Sequence, residues 1–206
     1  MYKTLANDAQ AETNVKHSKF LAFCFPVSDQ DEAEERIRGV KKQFPDATHA
    51  PYAYVCGENG EKFRASDDGE PSGTSGVPIL EAIKRRGLTY SAVVVVRYFG
   101  GIKLGTGGLA RAYADAADAA MLLAGATSFD KCAVYAVKCE YACFSALQNK
   151  IFSLGGQILS SDFDSGASFT AAIPVACSSA FVSFVADVSS GRATADYTEE
   201  RFCPIR

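Results

Sequence analysis

Apolar and polar positions along the chain change period several times, and each change marks an element. In "NVKHSKFLAFCFPV" the alternation predicts one or two strands. The stretch "DQDEAEERIRGVKKQF" puts Ala33, Ile37, Val40 and Phe44 on one helical stripe. Ser28 is expected to open this helix, with Asp31 in a capping-box position. Acids lead it and Lys41 and Lys42 trail, which suits the helix dipole. "THAPYAYVCG" and "EKFRAS" predict a hairpin joined through "ENG". A polar loop, "DDGEPSGTSG", follows. Next comes a short helix in "VPILEAIKRRG", with Ser75 as its cap, Pro78 in its first turn and Gly87 as its stop. "YSAVVVVRYF" is apolar on both faces and is expected at the centre of a sheet. A glycine-rich loop then leads into "GGLARAYADAADAAMLLAG". There Leu109, Tyr113, Ala116, Ala120 and Leu123 are expected to face inward, and Gly125 to end the helix.

A domain boundary is expected around Ala126 to Asp130. Beyond it the order reads strand, helix, strand, strand, helix, strand, in "KCAVYAVKCEY", "FSALQNKIFSLGG", "QILSSDFD", "SFTAAIPVA", "SSAFVSFVADVSSG" and "RATADYTEERFC". Phe144, Leu147, Ile151 and Leu154 form one helix stripe; Phe181, Phe184, Val185 and Val188 form the other. This is the split-βαβ, ferredoxin-like order. The fold class expected is α+β in two domains, residues 1–128 and 129–206.

Composition narrows the function classes. The chain has 206 residues, enough for one large domain or two small ones. A 48% hydrophobic and 22% charged make-up is that of a soluble globular protein. The net charge of −3 gives no general attraction for nucleic acid, so any polyanion contact needs a local patch. "MYKTLANDAQ" has no apolar signal core, and no apolar run approaches the ~20 residues of a membrane span. A cytoplasmic location is therefore expected. The seven cysteines are odd in number and irregular in spacing, so reduced thiols are expected. Cys132, Cys139 and Cys143 lack the paired C-x-x-C spacing of zinc sites, and no metal or other cofactor is expected.

The candidate chemistry lies in two glycine-rich loops. "RYFGGIKLGTGGLARAY" carries Gly100, Gly101, Gly105, Gly107 and Gly108, more than a tight turn requires. Both loops precede helices, whose first amides and positive dipole end favour anions. Arg97, Lys103 and Arg111 add charge beside Thr106, and Arg64 adds more if its strand is adjacent. Tyr98 or Phe99 offers an aromatic face, although at least one should point into the core. Basic groups beside aromatics are used on single-stranded nucleic acid. Neither a Walker A motif nor the G-x-G-x-x-G order is present.

The first loop holds Asp67, Asp68, Gly69, Glu70, Ser72, Gly73 and Thr74. Its carboxylates would repel phosphate unless a Mg²⁺ lay between, or they pair with the second loop's own arginines and lysine, or they meet a basic protein surface. Ordinary turn chemistry also explains Asp68-Gly69 and Pro71-Ser72. Catalytic signals are sparse. His17 sits between Lys16 and Lys19 on an expected surface. His49 is either a base or a histidine hydrogen-bonded to the acidic loop, the second being favoured. Cys56 is expected to lie too far along its strand to pair with His49. An enzyme is the less favoured class.

The blocks "VKHSKFLA", "ATHAPYAY", "SDDGEPSGTSGVPIL" and "VVVVRYFGGIKLGTGGLARAY" resemble the signature segments of the IMPACT/YigZ family, in its bacterial two-domain type. The resemblance covers roughly residues 1–128. The remainder is similar, in element order and length, to the family's C-terminal domain, which resembles domain V of elongation factor G. The resemblance implies a ribosomal-protein-S5-domain-2-like N-terminal domain and a ferredoxin-like C-terminal one. The family usually has a polar residue and a cysteine after the Thr-His pair, where this chain has Ala50-Pro51. Eukaryotic relatives regulate translation and carry an extra N-terminal domain. What the resemblance and the residues imply together is a non-catalytic binding protein linked to translation. It would contact RNA, the ribosome or a translation-associated protein through the glycine-rich, Arg/Lys-bearing surface. The alternatives are an acidic-loop protein-docking regulator and a metal-dependent phosphotransferase or hydrolase.

Overall fold

The valine run builds the centre of the first sheet because its side chains alternate between two apolar faces. A computed structural model of the chain describes residues 1–163 and 166–205. In chain order the elements are β1 (Tyr2–Leu5), β2 (Ala9–Val15), β3 (Ser18–Pro26), α1 (Gln30–Gln43), β4 (Tyr52–Cys56), β5 (Lys62–Ser66), α2 (Gly76–Arg85), β6 (Ser91–Tyr98) and α3 (Thr106–Ala124). These precede β7 (Ala126–Cys139), α4 (Tyr141–Ser153), β8 (Gln157–Asp162), β9 (Ala167–Pro174), α5 (Ser178–Ser189) and β10 (Thr194–Ile205). They divide into two units, Tyr2–Thr127 and Ser128–Arg206, so the chain is a two-domain α+β protein.

In the first unit the strand order is β2-β3-β6-β4-β5, every neighbouring pair antiparallel. Val93 and Val95 of β6 pack with Phe20, Ala22 and Val55 against α2 and α3. Ala92, Val94 and Val96 pack with Phe25, Tyr54 and Cys56 against α1. A strand sandwiched in this way has no wet face, hence the unbroken apolar run.

Four local expectations need correcting. The α1 cap is Asp29, not Ser28: its carboxylate accepts from the Glu32 amide at 2.9 Å. The reciprocal acid is Glu32, not Asp31, and it holds the Ser28 amide and hydroxyl at 2.7 Å each. Those bonds hold the Glu32 carboxyl below the usual range, the Ser28 amide contributing most. On α3, Leu123 is 68% exposed and Met121 and Ala124 are buried in its place, because the buried stripe steps by four after Ala120. Ser75 precedes α2 but makes no side-chain cap bond; another residue caps that helix, as described below. β7 begins at Ala126, and the division between the units at Thr127 and Ser128 falls within the Ala126–Asp130 segment.

The second unit has the strand order β10-β7-β9-β8, all neighbours antiparallel, which is the ferredoxin-like arrangement. Leu147 and Ile151 of α4 and Phe181 and Val185 of α5 pack on the Tyr135 and Phe169 face. Asp164, the last residue of "QILSSDFD", lies outside the described residues.

Two features set the end of the first sheet that matters for function. Lys16 and His17 join β2 to β3 as a two-residue turn with φ of 44° and 66°. Both are left-handed, a geometry that Asn-Gly adopts with least strain. Gly100, after β6, packs on that turn so closely that a Cβ would overlap the His17 carbonyl and the Ser18 amide. Gly107, by contrast, lies in a helix with open space about its Cβ position. Gly100→Ala is therefore expected to destabilise the fold by about 2 kcal/mol or more, whereas Gly107→Ala should stabilise it by about 1 kcal/mol. Urea-unfolding midpoints of the two variants check this.

Candidate nucleic-acid interface

Strand register gathers most of the singled-out residues at one end of the first sheet. Lys19 lies opposite Tyr98, an isolated bridge sets His49 beside Arg97, and Tyr52 lies opposite Ser66. The 16–17 turn, the loop after β6, His49 and the loop after β5 therefore share that end.

Glu70 joins the two glycine-rich loops. Its Oε1 accepts from Arg97 Nη1 at 2.6 Å and from the Tyr113 hydroxyl at 2.6 Å. Glu70 is 8% exposed and Arg97 6%. Arg97 lies between the rings of Phe20 and Phe99, each 5.5 Å from its guanidinium carbon, and Nη2 reaches Ser18 Oγ at 3.5 Å. Its Nε is buried without a hydrogen-bond partner among the described residues. Burial pushes the Tyr113 hydroxyl far above the ordinary tyrosine range, and the Glu70 charge adds to the effect. Breaking a buried pair such as this leaves an unpaired charge and costs about 3–5 kcal/mol.

The other two acids are likewise held internally. Asp67 Oδ1 accepts from the Ser75 amide at 3.0 Å, the Ser75 hydroxyl at 2.8 Å and the Gly76 amide at 2.9 Å. Its Oδ2 accepts from the Gly73 amide at 2.8 Å. Asp67 is thus the cap of α2, reaching it from across the loop. Burial works to raise its carboxyl, but the Gly73, Gly76 and Ser75 donors together outweigh it and hold the group below the ordinary range. Asp68 binds Lys41 Nζ at 2.6 Å and the Ala50 amide at 2.8 Å. His49 Nδ1 meets the Asp68 carbonyl at 3.0 Å, and its Nε2 lies 4.0 Å from Glu70 Oε2. The carboxylates turn onto separate partners, and among the described residues no group of three or more acids, histidines or cysteines is arranged to hold a metal.

These bonds change what each predicted residue has to offer. The expectation of free amides at both helix starts holds only for α3, because Asp67 occupies those of α2. Thr74 Oγ1 donates to the Pro71 carbonyl, Gly69 packs on the His49 ring, and Ser72 is exposed. Arg64 does not join the cluster. Its strand is an edge strand separated from β6 by β4, and it pairs with Glu34 on the α1 face at 2.8 Å. Arg97 is tied to Glu70 and is not free to bind phosphate. Tyr98 packs on the α1 side with its hydroxyl on Asp46, while Phe99 is 47% exposed. Cys56 is buried, which pushes its thiol up to about 11, and all seven cysteines are free thiols.

What remains open is the start of α3. Gly105 precedes it with φ 72° and no side-chain cap, and Thr106, Gly107 and Gly108 are exposed. Their amides have no partner among the described residues. Lys103 and Arg111 flank them, exposed and likewise unpartnered among the described residues. Sequence reasoning missed Tyr113 and Ser18 as partners. Tyr113 gave a signal, a hydroxyl on an inward stripe of alanines that needs an acceptor; Ser18 gave none.

The Impact N-terminal domain model matches residues 16–121, and a domain of unknown function, DUF1949, matches residues 137–192. The chain belongs to the IMPACT family. It is 32% identical to the IMPACT family member YigZ of Escherichia coli (strain K12) over 86% of this chain and 88% of that protein. It is 51% identical to the IMPACT family member YvyE of Bacillus subtilis (strain 168), over 54% of this chain and 52% of that one. A solved structure titled as that of a hypothetical protein is similar at a TM-score of 0.62 and 30% identity, over 96% of this chain and 97% of that one. In this IMPACT chain the matched N-terminal segment spans the 16–17 turn, both glycine-rich loops and most of α3. Among the described residues no helix is long and apolar enough to cross a membrane.

The Asp67 cap makes a pH-dependent contribution. Its carboxyl is depressed in the folded state, so the stabilisation is complete above the unfolded carboxylate value of about 3.9 and is lost as pH falls through the lower folded value. Asp67→Asn should lower stability by about 1–2 kcal/mol at neutral pH. The gap to the parent should close in acid, read from urea midpoints between neutral pH and the onset of acid unfolding.

Proposed function

We propose that this protein is a non-catalytic RNA-binding protein linked to translation, and that the start of α3 is its phosphate site. The observation that carries this reading is the exposed, uncapped first turn of α3 between Lys103 and Arg111, two cations without a partner among the described residues. Free amides at a helix start, a positive dipole end and nearby cations favour a phosphate group. Gly107 adds support. The fold gains nothing from a glycine there, since its backbone is helical and its Cβ position is open, but a ligand can approach it closely.

Phe99 supplies the other half of a single-strand site. Its ring is half exposed beside the buried Arg97 guanidinium and offers a face on which a base can stack. Two other regions suit RNA less well. An open groove of about 540 Å³ near the start of α1 is lined by Asp29, Asp31, Glu58 and Glu61, an anionic setting for a polyanion. On the second unit's sheet, the face away from its helices carries Lys138, Ser168 and Thr170 and no aromatic ring at its paired strand positions. Stacking platforms on such sheets require aromatics.

The acids of the first loop act from within. Glu70 neutralises Arg97, and Asp67 and Asp68 fix the loop, so their charge is spent on internal partners. The double variant Lys103→Ala/Arg111→Ala is expected to weaken binding to a fluorescein-labelled single-stranded RNA and to reduce the magnitude of its salt slope by about two. Anisotropy titrations across a potassium chloride series check this. Binding equal to that of the parent at every salt concentration would count against the α3 site.

A further inference from the structure

We infer that the Lys16–His17 turn is a second phosphate-contacting element of the same interface, so that single-stranded RNA passes from the α3 start over Phe99 to the β2–β3 hairpin. This extension rests on the RNA reading above.

The turn is built against its own backbone preference. Both residues are left-handed, where Asn-Gly would fit with less strain, yet the positions hold a lysine and a histidine. Both side chains are exposed and make no hydrogen bond or ion pair among the described residues. Their neighbour Lys19 differs, being tied to Glu12 at 2.8 Å. Nothing among the described residues thus uses the two side chains that make the turn costly. Strain of this kind gathers where a ligand is met.

Placement supplies the rest. The turn backbone lies directly on Gly100, with no space for a Cβ, so it is held against the loop that carries Phe99. The Gly100 amide and Arg97 Nη2 both reach Ser18 Oγ, the residue after the turn. An ammonium and an imidazole N–H are both donors to phosphate oxygens, and here they flank an exposed ring on the side joined to the hairpin. A chain of alternating phosphates and bases matches that order of cation, ring and cation. Duplex RNA, whose bases are stacked inside, does not.

The test combines two variants, with a fluorescein-labelled uridine homopolymer and a labelled RNA duplex as probes. Lys16→Asn/His17→Gly replaces the strained pair with the residues the turn prefers. It should melt at a higher temperature than the parent, bind the homopolymer roughly tenfold more weakly and lose about one from the magnitude of the salt slope. Lys16→Glu keeps the backbone demand and changes only the charge, and it too should lose affinity and slope. The parent should prefer the homopolymer to the duplex. Unchanged homopolymer affinity and slope in both variants would overturn the assignment of the turn while leaving the α3 site standing. A parent protein that binds neither probe would overturn the RNA reading itself, and this extension with it.

Discussion

The buried contact of Glu70 with Arg97 and Tyr113 is the constraint on which the rest of the site depends. One carboxylate oxygen, at 2.6 Å from each donor, joins the loop after β5, the end of the central strand and the second turn of α3. A charge pair so deeply buried is weak evidence for net stability, since desolvation offsets much of its attraction. Its value here is positional. Once formed, it leaves few arrangements for the two loops, because any movement of one strips the other of its counter-charge.

From that clamp follows a division of labour between two helix starts. Both α2 and α3 begin after glycine-rich loops and present the same orphan amides. At α2 the chain supplies its own anion, Asp67, which collects four hydrogen bonds. At α3 it supplies none, and the glycine at the cap has no side chain to offer. The first terminus is closed structure; the second is left for a ligand. The uneven distribution of the basic residues fits this. Arg64, Arg97 and Lys41 are committed to internal acids, while Lys103 and Arg111 have no such partner among the described residues.

Much of the fold could be read from the sequence because its signals are periodic. The valine run, the α1 stripe and the strand–helix order of the second unit each repeat a pattern that one window can detect. The site was less legible because its decisive contacts are long-range in sequence. Asp67, Asp68 and Glu70 looked like a shared anionic patch, since adjacency in a loop says nothing about which way each side chain turns. Arg97 looked like a phosphate ligand because a strand end usually reaches solvent; the register that faces it inward, towards a carboxylate twenty-seven residues earlier, is set by tertiary packing. The split between Tyr98 and Phe99 was foreseeable in kind, since neighbours on a strand point oppositely, but not in which ring would be exposed.

Hydrogen exchange in a Glu70→Ala variant tests the clamp most directly. Peptides covering residues 67–76 and 97–108 should exchange faster together, while those from β7 and β9 keep the parent rates and serve as the internal reference. Faster exchange confined to 67–76, with 97–108 as protected as in the parent, would contradict the claim that one buried carboxylate holds both loops.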